Sequence, residues 1–165
     1  MLFGLAAAAQ SNLFVPFGLS EDEVKTFLAG KDYIRQILEE NDMNRVRAVL
    51  DENKQVEYVF ENGALYATTV TRFYRDRRVA KEVEQNCLGY MHQVSRGALK
   101  ETNENGVICH TAVTEGRAVK LFIQHHDSGV TLTLTSISRT LGPIPPEEQH
   151  YYYEVELLQR RFISN

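Results

Sequence analysis

Three consecutive strand patterns in the range Val107–Ser138 constrain the fold more than any other part of the sequence. Apolar and polar residues alternate there, which is typical of strands with one buried face. The alternation predicts that Ile123 lies opposite Leu132 and that Leu121 lies opposite Leu134 across the last turn. One face of this sheet is then apolar. The other face carries mostly polar side chains and one aromatic ring: Lys120, Phe122, Gln124, Thr131, Thr133 and Thr135.

The hairpin that precedes this turn is compatible with two registers. A two-residue turn at Glu115-Gly116 places His110 on the apolar face, opposite Leu121. A three-residue loop with Gly116 at positive φ places Cys109 opposite Leu121 instead. Because a slip of one residue exchanges the two faces, the hydrophobic pattern has to decide. We prefer the second register, which predicts Cys109 in the core and His110 on the polar face.

A long amphipathic helix is predicted over Arg77–Lys100, because apolar residues recur there every three or four positions. They are Val79, Val83, Cys87, Met91, Val94 and Ala98. Such a stripe usually packs against a core, and we expect it to cover the apolar face of the sheet.

Shorter elements are predicted on both sides of this unit. Ser20 and Glu23 form a capping box that begins a first helix, and two further short helices are expected over 32–40 and 43–51. Asn62-Gly63 predicts a hairpin that pairs Tyr58 with Ala67 and Phe60 with Leu65. A last strand is expected over Tyr151–Leu157. No internal sequence repeat is visible.

These elements predict an α+β fold, in which an antiparallel sheet of about six strands packs on one long helix and on N-terminal helices. The order of helices, hairpin, long helix and four strands resembles the cone-shaped fold of the nuclear-transport-factor-2-like (NTF2-like) superfamily. The resemblance covers the order of elements alone, and no residue motif accompanies it. It implies a pocket at the mouth of the cone. A profilin-like sandwich is the structural alternative.

The composition of the chain limits the functional classes to which it can belong. At 165 residues, the chain is expected to form one domain over 20–165, preceded by an uncharged arm over 1–19. The net charge of −4 does not favour nucleic acid or an anionic membrane as a partner. Cys87 and Cys109 show neither a C-x-x-C motif nor zinc-ligand spacing, so we expect no metal, no cofactor and a reducing, cytoplasmic compartment.

The arm is too short and too interrupted to span a bilayer, but it is rich in apolar residues. We predict that it docks on a partner through Phe3, Leu5, Phe14 and Phe17. A loose tail, or an arm that folds back on its own sheet, is the alternative. Tyr151 and Tyr152 in the expected last strand are predicted as further contacts, because tyrosine is enriched at interfaces.

A basic run at the start of the long helix predicts an anionic partner. It comprises Arg72, Arg75, Arg77 and Arg78. Cations at this end oppose the helix dipole, so we expect acids nearby to compensate for them. Acids of the same chain or of a second subunit are preferred over a phosphate or another acidic ligand.

No catalytic constellation stands out in the sequence. We therefore favour a non-enzymatic binding and assembly protein that docks on a protein partner or on further copies of itself. The alternative is a small-ligand-binding protein, or a cofactor-free lyase or isomerase, with its pocket in an NTF2-like cone. His110 and His92 are then the candidates for acid–base catalysis.

Overall fold

The computed structural model describes residues 13–95, 99–114, 116–139 and 149–164. Three α-helices occur within these ranges: α1 (Glu21–Leu28), α2 (Arg77–Val94) and α3 (Gln149–Ile163). The first four strands are β1 (Gln36–Glu40), β2 (Arg45–Val49), β3 (Lys54–Glu61) and β4 (Ala64–Tyr74). The other four are β5 (Lys100–Glu104), β6 (Val107–Val113), β7 (Arg117–His126) and β8 (Gly129–Ser138).

All eight strands form one antiparallel sheet in the order β1-β2-β3-β4-β8-β7-β6-β5. The predicted α+β class is therefore confirmed. Each half of the chain contributes a four-stranded meander followed by a helix. The last strands of the two meanders, β4 and β8, meet at the centre of the sheet, where Val70 lies opposite Leu134. The topology thus repeats although the sequence shows no repeat.

The helices pack on one face of the sheet. α2 contacts β4, β6, β7 and β8, α3 contacts β3 and β4, and α1 contacts β2. The predicted core is confirmed, because Leu121, Leu132, Leu134, Cys87 and Met91 are buried in one cluster. Val83 is partly buried against the same cluster. The sheet residues of this core come from alternate positions, as a strand with one buried face requires.

The described part of the N-terminal arm belongs to this core. Leu13 and Val15 are buried, and the Tyr58 hydroxyl donates a hydrogen bond to the Leu13 carbonyl. The Gly18 amide donates to the Leu65 carbonyl at 2.8 Å, and the Leu65 amide donates to the Leu19 carbonyl at the same distance. Residues 13–19 are therefore held to the start of β4 by backbone hydrogen bonds and to β3 by the Tyr58 side chain.

Two predicted short helices are wrong. Residues 36–40 and 45–49, within the ranges expected to be helical, form β1 and β2. In β2 the buried residues Val46 and Ala48 alternate with half-buried arginines, and pairing with β3 fixes this period of two. Asn44 closes the connection between β1 and β2 in a left-handed conformation, with φ of 50°. A short segment can show helical spacing of its apolar residues by chance. Pairing with neighbouring strands then determines its structure.

The predicted last strand over Tyr151–Leu157 is also wrong, because these residues lie in α3. The helical spacing becomes visible only when the pattern is followed past the expected strand, because Val155, Gln159 and Phe162 are buried at intervals of four and three residues. Eight strands replace the six that were expected. The observed order of elements therefore differs from the NTF2-like order.

The predicted register of β7 with β8 is confirmed, with Ile123 opposite Leu132 and Leu121 opposite Leu134. In the β3–β4 hairpin, Phe60 does lie opposite Leu65, but an irregularity between Val59 and Phe60 shifts the rest of the ladder. The predicted pair of Tyr58 and Ala67 is therefore wrong: Tyr58 lies opposite Thr68.

The preferred register of β6 with β7 is wrong, since His110 and not Cys109 lies opposite Leu121. Ile108 and Ala112 share the face of His110, so this register also buries apolar residues and the hydrophobic pattern was ambiguous. Cys109 lies on the other face, opposite Phe122. The loop that was expected to set the register includes Glu115, which lies outside the described residues.

Candidate interaction surface

The three described helices share one face of the sheet, and we call the opposite face the open face. Its side chains alternate with the core residues along each strand, as the strand geometry dictates. In the four strands β4, β8, β7 and β6 the residues of the open face include Thr69, Thr71, Phe73, Thr131, Thr133, Thr135, Ile137, Ala118, Lys120, Phe122, Gln124, His126, Val107, Cys109, Thr111 and Val113. The predicted polar face of β7 and β8 is thus confirmed.

The centre of the open face is uncharged. Thr69 Oγ1 lies 2.9 Å from Thr135 Oγ1, and Thr71 Oγ1 lies 3.2 Å from Thr133 Oγ1. These two hydrogen bonds join β4 to β8. Phe122 lies opposite Thr133 on the next strand. The threonine hydroxyls already bond one another. Another surface that covered this area would therefore not leave these hydroxyls buried without a hydrogen-bond partner.

Charges flank the centre on the side of β1 to β3. Arg45 Nη1 lies 2.7 Å from Glu57 Oε2, and Arg47 Nη2 lies 2.6 Å from Glu40 Oε1. Both pairs are partly shielded from solvent. This side of the open face is therefore polar, but its two cations are balanced by two carboxylates.

A groove of about 440 Å³ opens on the other side of the face, over β5 to β7. Its lining combines apolar, polar and charged side chains: Thr102, Glu104, Asn105, Val107, Cys109, Lys120 and Phe122. Asn105 and Gly106 form the β5–β6 turn with φ of 52° and 80°. The volume lies within the range of small-molecule sites.

The two edges of the sheet carry charged residues. Glu39 and Glu40 lie on β1, and Lys100, Glu101 and Glu104 lie on β5. Charges on edge strands disfavour pairing with the strand of another chain. The charges therefore disfavour association through a sheet edge.

The two candidate catalytic histidines belong to the helix side of the molecule. The side chain of His110 is 13% exposed, and its Nδ1 lies 3.6 Å from Glu101 Oε2. His92 is exposed on α2. Among the described contacts, no hydrogen bond or ion pair joins the two histidines.

The predicted basic run divides into two pairs. Arg72 donates to the carbonyl oxygens of Phe162 at 3.1 Å and Ser164 at 2.6 Å, at the end of α3. Arg77 donates to the carbonyl oxygens of His126 and Asp127 in the β7–β8 turn. Two of the four guanidinium groups thus bind carbonyl groups of their own chain rather than the expected acids.

The other two arginines are exposed and lie near acids of the same chain. Arg75 Nη2 is 4.0 Å from Glu52 Oε1, and Arg78 Nε is 3.8 Å from Asp76 Oδ1. Such exposed pairs contribute little to stability, because solvent screens them. The prediction that these two arginines bind an acidic partner stays a prediction.

The four residues of the arm that were predicted to contact a partner do not form one surface in the described structure. Phe14 and Phe17 are partly buried against the chain's own core, whereas Phe3 and Leu5 lie outside the described residues. Tyr151 and Tyr152 lie on α3 and not on the sheet. The sequence pattern did place Phe122 on the open face, but the groove beside it depends on the pairing of β5 and β6 next to β7.

Groups with strongly shifted pKa values lie in the core. Burial raises the pKa of the Cys87 thiol to about 12 and the pKa of Tyr74 to about 12. Burial also raises the pKa of Tyr58. Desolvation is the first cause in all three cases, so these shifts report packing.

Within the described ranges, no three His, Cys, Asp or Glu side chains are grouped closely enough to hold a metal ion. None of the helices described there has both the length and the apolar composition that crossing a bilayer requires. In comparisons with protein-family models, curated proteins and solved structures, the chain matches none.

Proposed function

We propose that this protein is a non-enzymatic binding and assembly protein, and that a second copy of the chain docks on the open face. The observation that carries the proposal is the uncharged centre of an eight-stranded sheet whose described helices all lie on the other side. Thr71, Thr133 and Phe122 mark this centre. A face-to-face packing of two sheets is a common way to bury such a surface.

The area of the face is comparable to that of a standard protein–protein interface. Strands lie about 4.8 Å apart and rise about 3.4 Å per residue. The sheet has eight strands of five to eleven residues, so its face covers on the order of 900 Å². Two such faces would bury on the order of 1,800 Å², which is the size of a standard protein–protein interface.

The distribution of charge also supports a self-complementary contact. Interfaces have a centre depleted in charge and a polar rim, and the open face has this arrangement. Arg45, Arg47 and Glu57 lie on one side of the threonine pairs, with Glu57 directly opposite Thr69. Lys120 and Glu104 lie on the other side, with Lys120 directly opposite Thr135. In a two-fold dimer the same patch serves both subunits, so the uncharged centres would meet.

The test is the molar mass in solution, measured by light scattering after size-exclusion chromatography over a range of concentrations. Thr133→Glu places a carboxylate in the centre of the face and should raise the dissociation constant by at least about 100-fold, or ~2.8 kcal/mol, because the charge would lose water without gaining a partner. Gln85→Glu adds the same charge on the exposed surface of α2 and should leave the mass unchanged.

Phe122→Ala provides a second variant, since it removes apolar area without adding a charge. It should weaken the dimer while the circular dichroism spectrum stays native. A wild-type chain that is monomeric at about 100 μM, a concentration at which a dimer worth more than roughly 5.5 kcal/mol would form, would contradict the proposal. So would equal masses for wild type and Thr133→Glu.

A small ligand in the groove over β5 to β7 is the second candidate function, favoured by the 440 Å³ concavity. Lys120 and Glu104 would orient a polar ligand while Phe122 packs on its apolar part. A fragment screen by ligand-observed nuclear magnetic resonance distinguishes this candidate. Binding that is lost in Phe122→Ala but kept in Thr133→Glu would favour the groove. The lyase or isomerase alternative has less support, because His92 is exposed and no described contact joins it to His110.

The predicted docking of the N-terminal arm on a partner is proposed only for the first residues of the chain. Phe3 and Leu5 are the candidates, because Leu13 and Val15 are already buried in the chain's own core. Deleting residues 1–12, rather than 1–19, tests them while keeping the buried Leu13 and Val15. A lower molar mass with an unchanged melting temperature would support docking through this segment, whereas an unchanged mass would argue against it.

A further inference from the structure

A small cavity lies where the N-terminal segment, the centre of the sheet and α3 meet. Phe14, Val15 and Phe17 line it from the segment, Thr68 and Ser136 from β4 and β8, and Val155, Glu156 and Gln159 from α3. Its volume of about 10 Å³ is close to the smallest space that accommodates a single water molecule.

Ser136 supplies an unused hydrogen-bonding group to this cavity. The residue is 2% exposed, and its Oγ has no hydrogen-bond partner among the described residues. It lies on the helix face of β8, directly opposite Thr68 on β4. A buried hydroxyl without a partner is unfavourable, and such groups are usually bonded to protein or to ordered water.

Gln159 supplies a second polar group. This residue is also 2% exposed, and its Nε2 donates to the carbonyl oxygens of Thr68 at 2.9 Å and Leu134 at 3.2 Å. Both N–H bonds of the amide are thereby used. The carbonyl oxygen Oε1 is the acceptor that this side chain has left.

We propose that the cavity is a binding site for one structural water molecule. The Ser136 hydroxyl donates to the water, and the water donates to Gln159 Oε1. The water thus joins β8 to α3 beneath the phenylalanines of the N-terminal segment. An apolar occupant is disfavoured, because it would leave the Ser136 hydroxyl unbonded.

Water cross-peaks in rotating-frame nuclear Overhauser spectra test the proposal on the full-length chain. We expect a long-lived water near the amide protons of Ser136 and Gln159 in the wild type. Ser136→Val fills the space with methyl groups and should abolish these cross-peaks, whereas Thr135→Val, on the open face, should keep them. Ser136→Ala removes the donor without filling the cavity and should melt at a lower temperature than Ser136→Val.

A crystal structure provides the independent measurement, and it does not depend on how well the variants fold. Electron density for one water within hydrogen-bond distance of Ser136 Oγ and Gln159 Oε1 would support the site. A Ser136 hydroxyl bonded directly to a protein atom, with no water in the cavity, would overturn it. Wild-type spectra without water cross-peaks at these amides would overturn it as well.

Discussion

Leu13→Ala is the most informative single substitution, because it separates a core segment from a docking arm. The Leu13 side chain is fully buried, although it belongs to a stretch whose uncharged sequence predicts a contact for a partner. Removing a buried leucine side chain costs about 2–5 kcal/mol, since the surrounding core fills the cavity only in part. For a chain of this length, a loss of ~3 kcal/mol lowers the melting temperature by about 6–12 °C.

The assay is unfolding in urea, followed by far-ultraviolet circular dichroism, with the thermal transition as a second measure. The slope of the free energy with urea should stay constant while the midpoint falls, because the native fold is retained. Leu157→Ala is the matched control, since Leu157 is exposed on α3 and its substitution should change stability by less than about 0.5 kcal/mol. A loss below ~1 kcal/mol for Leu13→Ala would refute the assignment of residues 13–19 to the core.

Three further predictions concern the core. Leu134→Ala should also cost about 2–5 kcal/mol in urea unfolding, because Leu134 is fully buried at the centre of the sheet. Gln159→Ala should cost about 1–3 kcal/mol in the same assay, since it removes the donor to two buried carbonyl groups. Burial raises the pKa of Cys87 from 9.0 to about 12, so its contribution to stability is complete below pH 9 and is lost as the pH rises towards 12. Cys87→Ala should flatten this alkaline decline, and a thiol reagent at neutral pH should label the partly exposed Cys109 well before Cys87.

The central part of the fold was predictable because several independent patterns agree there. In β7 and β8 the alternation of Leu121, Ile123, Leu132 and Leu134 fixes both the buried face and the register. In α1 the capping box of Ser20 forms as the sequence predicts. Long periodic segments and specific caps determine local structure with little help from the rest of the chain.

The edges of the fold were not predictable in the same way. Strand β1 has no buried residue of its own, so its pairing with β2 leaves no alternating pattern to detect. In β6, His110 and Cys109 are both partly buried, and either register places apolar neighbours on the core face. In α3 the decisive residues, Gln159 and Phe162, lie beyond the tyrosines that suggested a strand. The groove of the candidate surface was missed because it depends on strands β5 and β6 meeting β7 in space.

The seam between β4 and β8 connects the two candidate sites. Thr69 and Thr71 bond Thr135 and Thr133 across this seam on the open face, while the Gln159 amide binds the carbonyl groups of Thr68 and Leu134 on the helix face. Each half of the chain contributes one strand to the seam, so the halves are joined by hydrogen bonds in addition to apolar packing. A substitution there acts on both faces, because adjacent residues of a strand point to opposite sides. Effects of Thr133→Glu on assembly must therefore be compared with its effect on stability, and a variant that dissociates while unfolding at the wild-type urea midpoint would assign the loss to the open face.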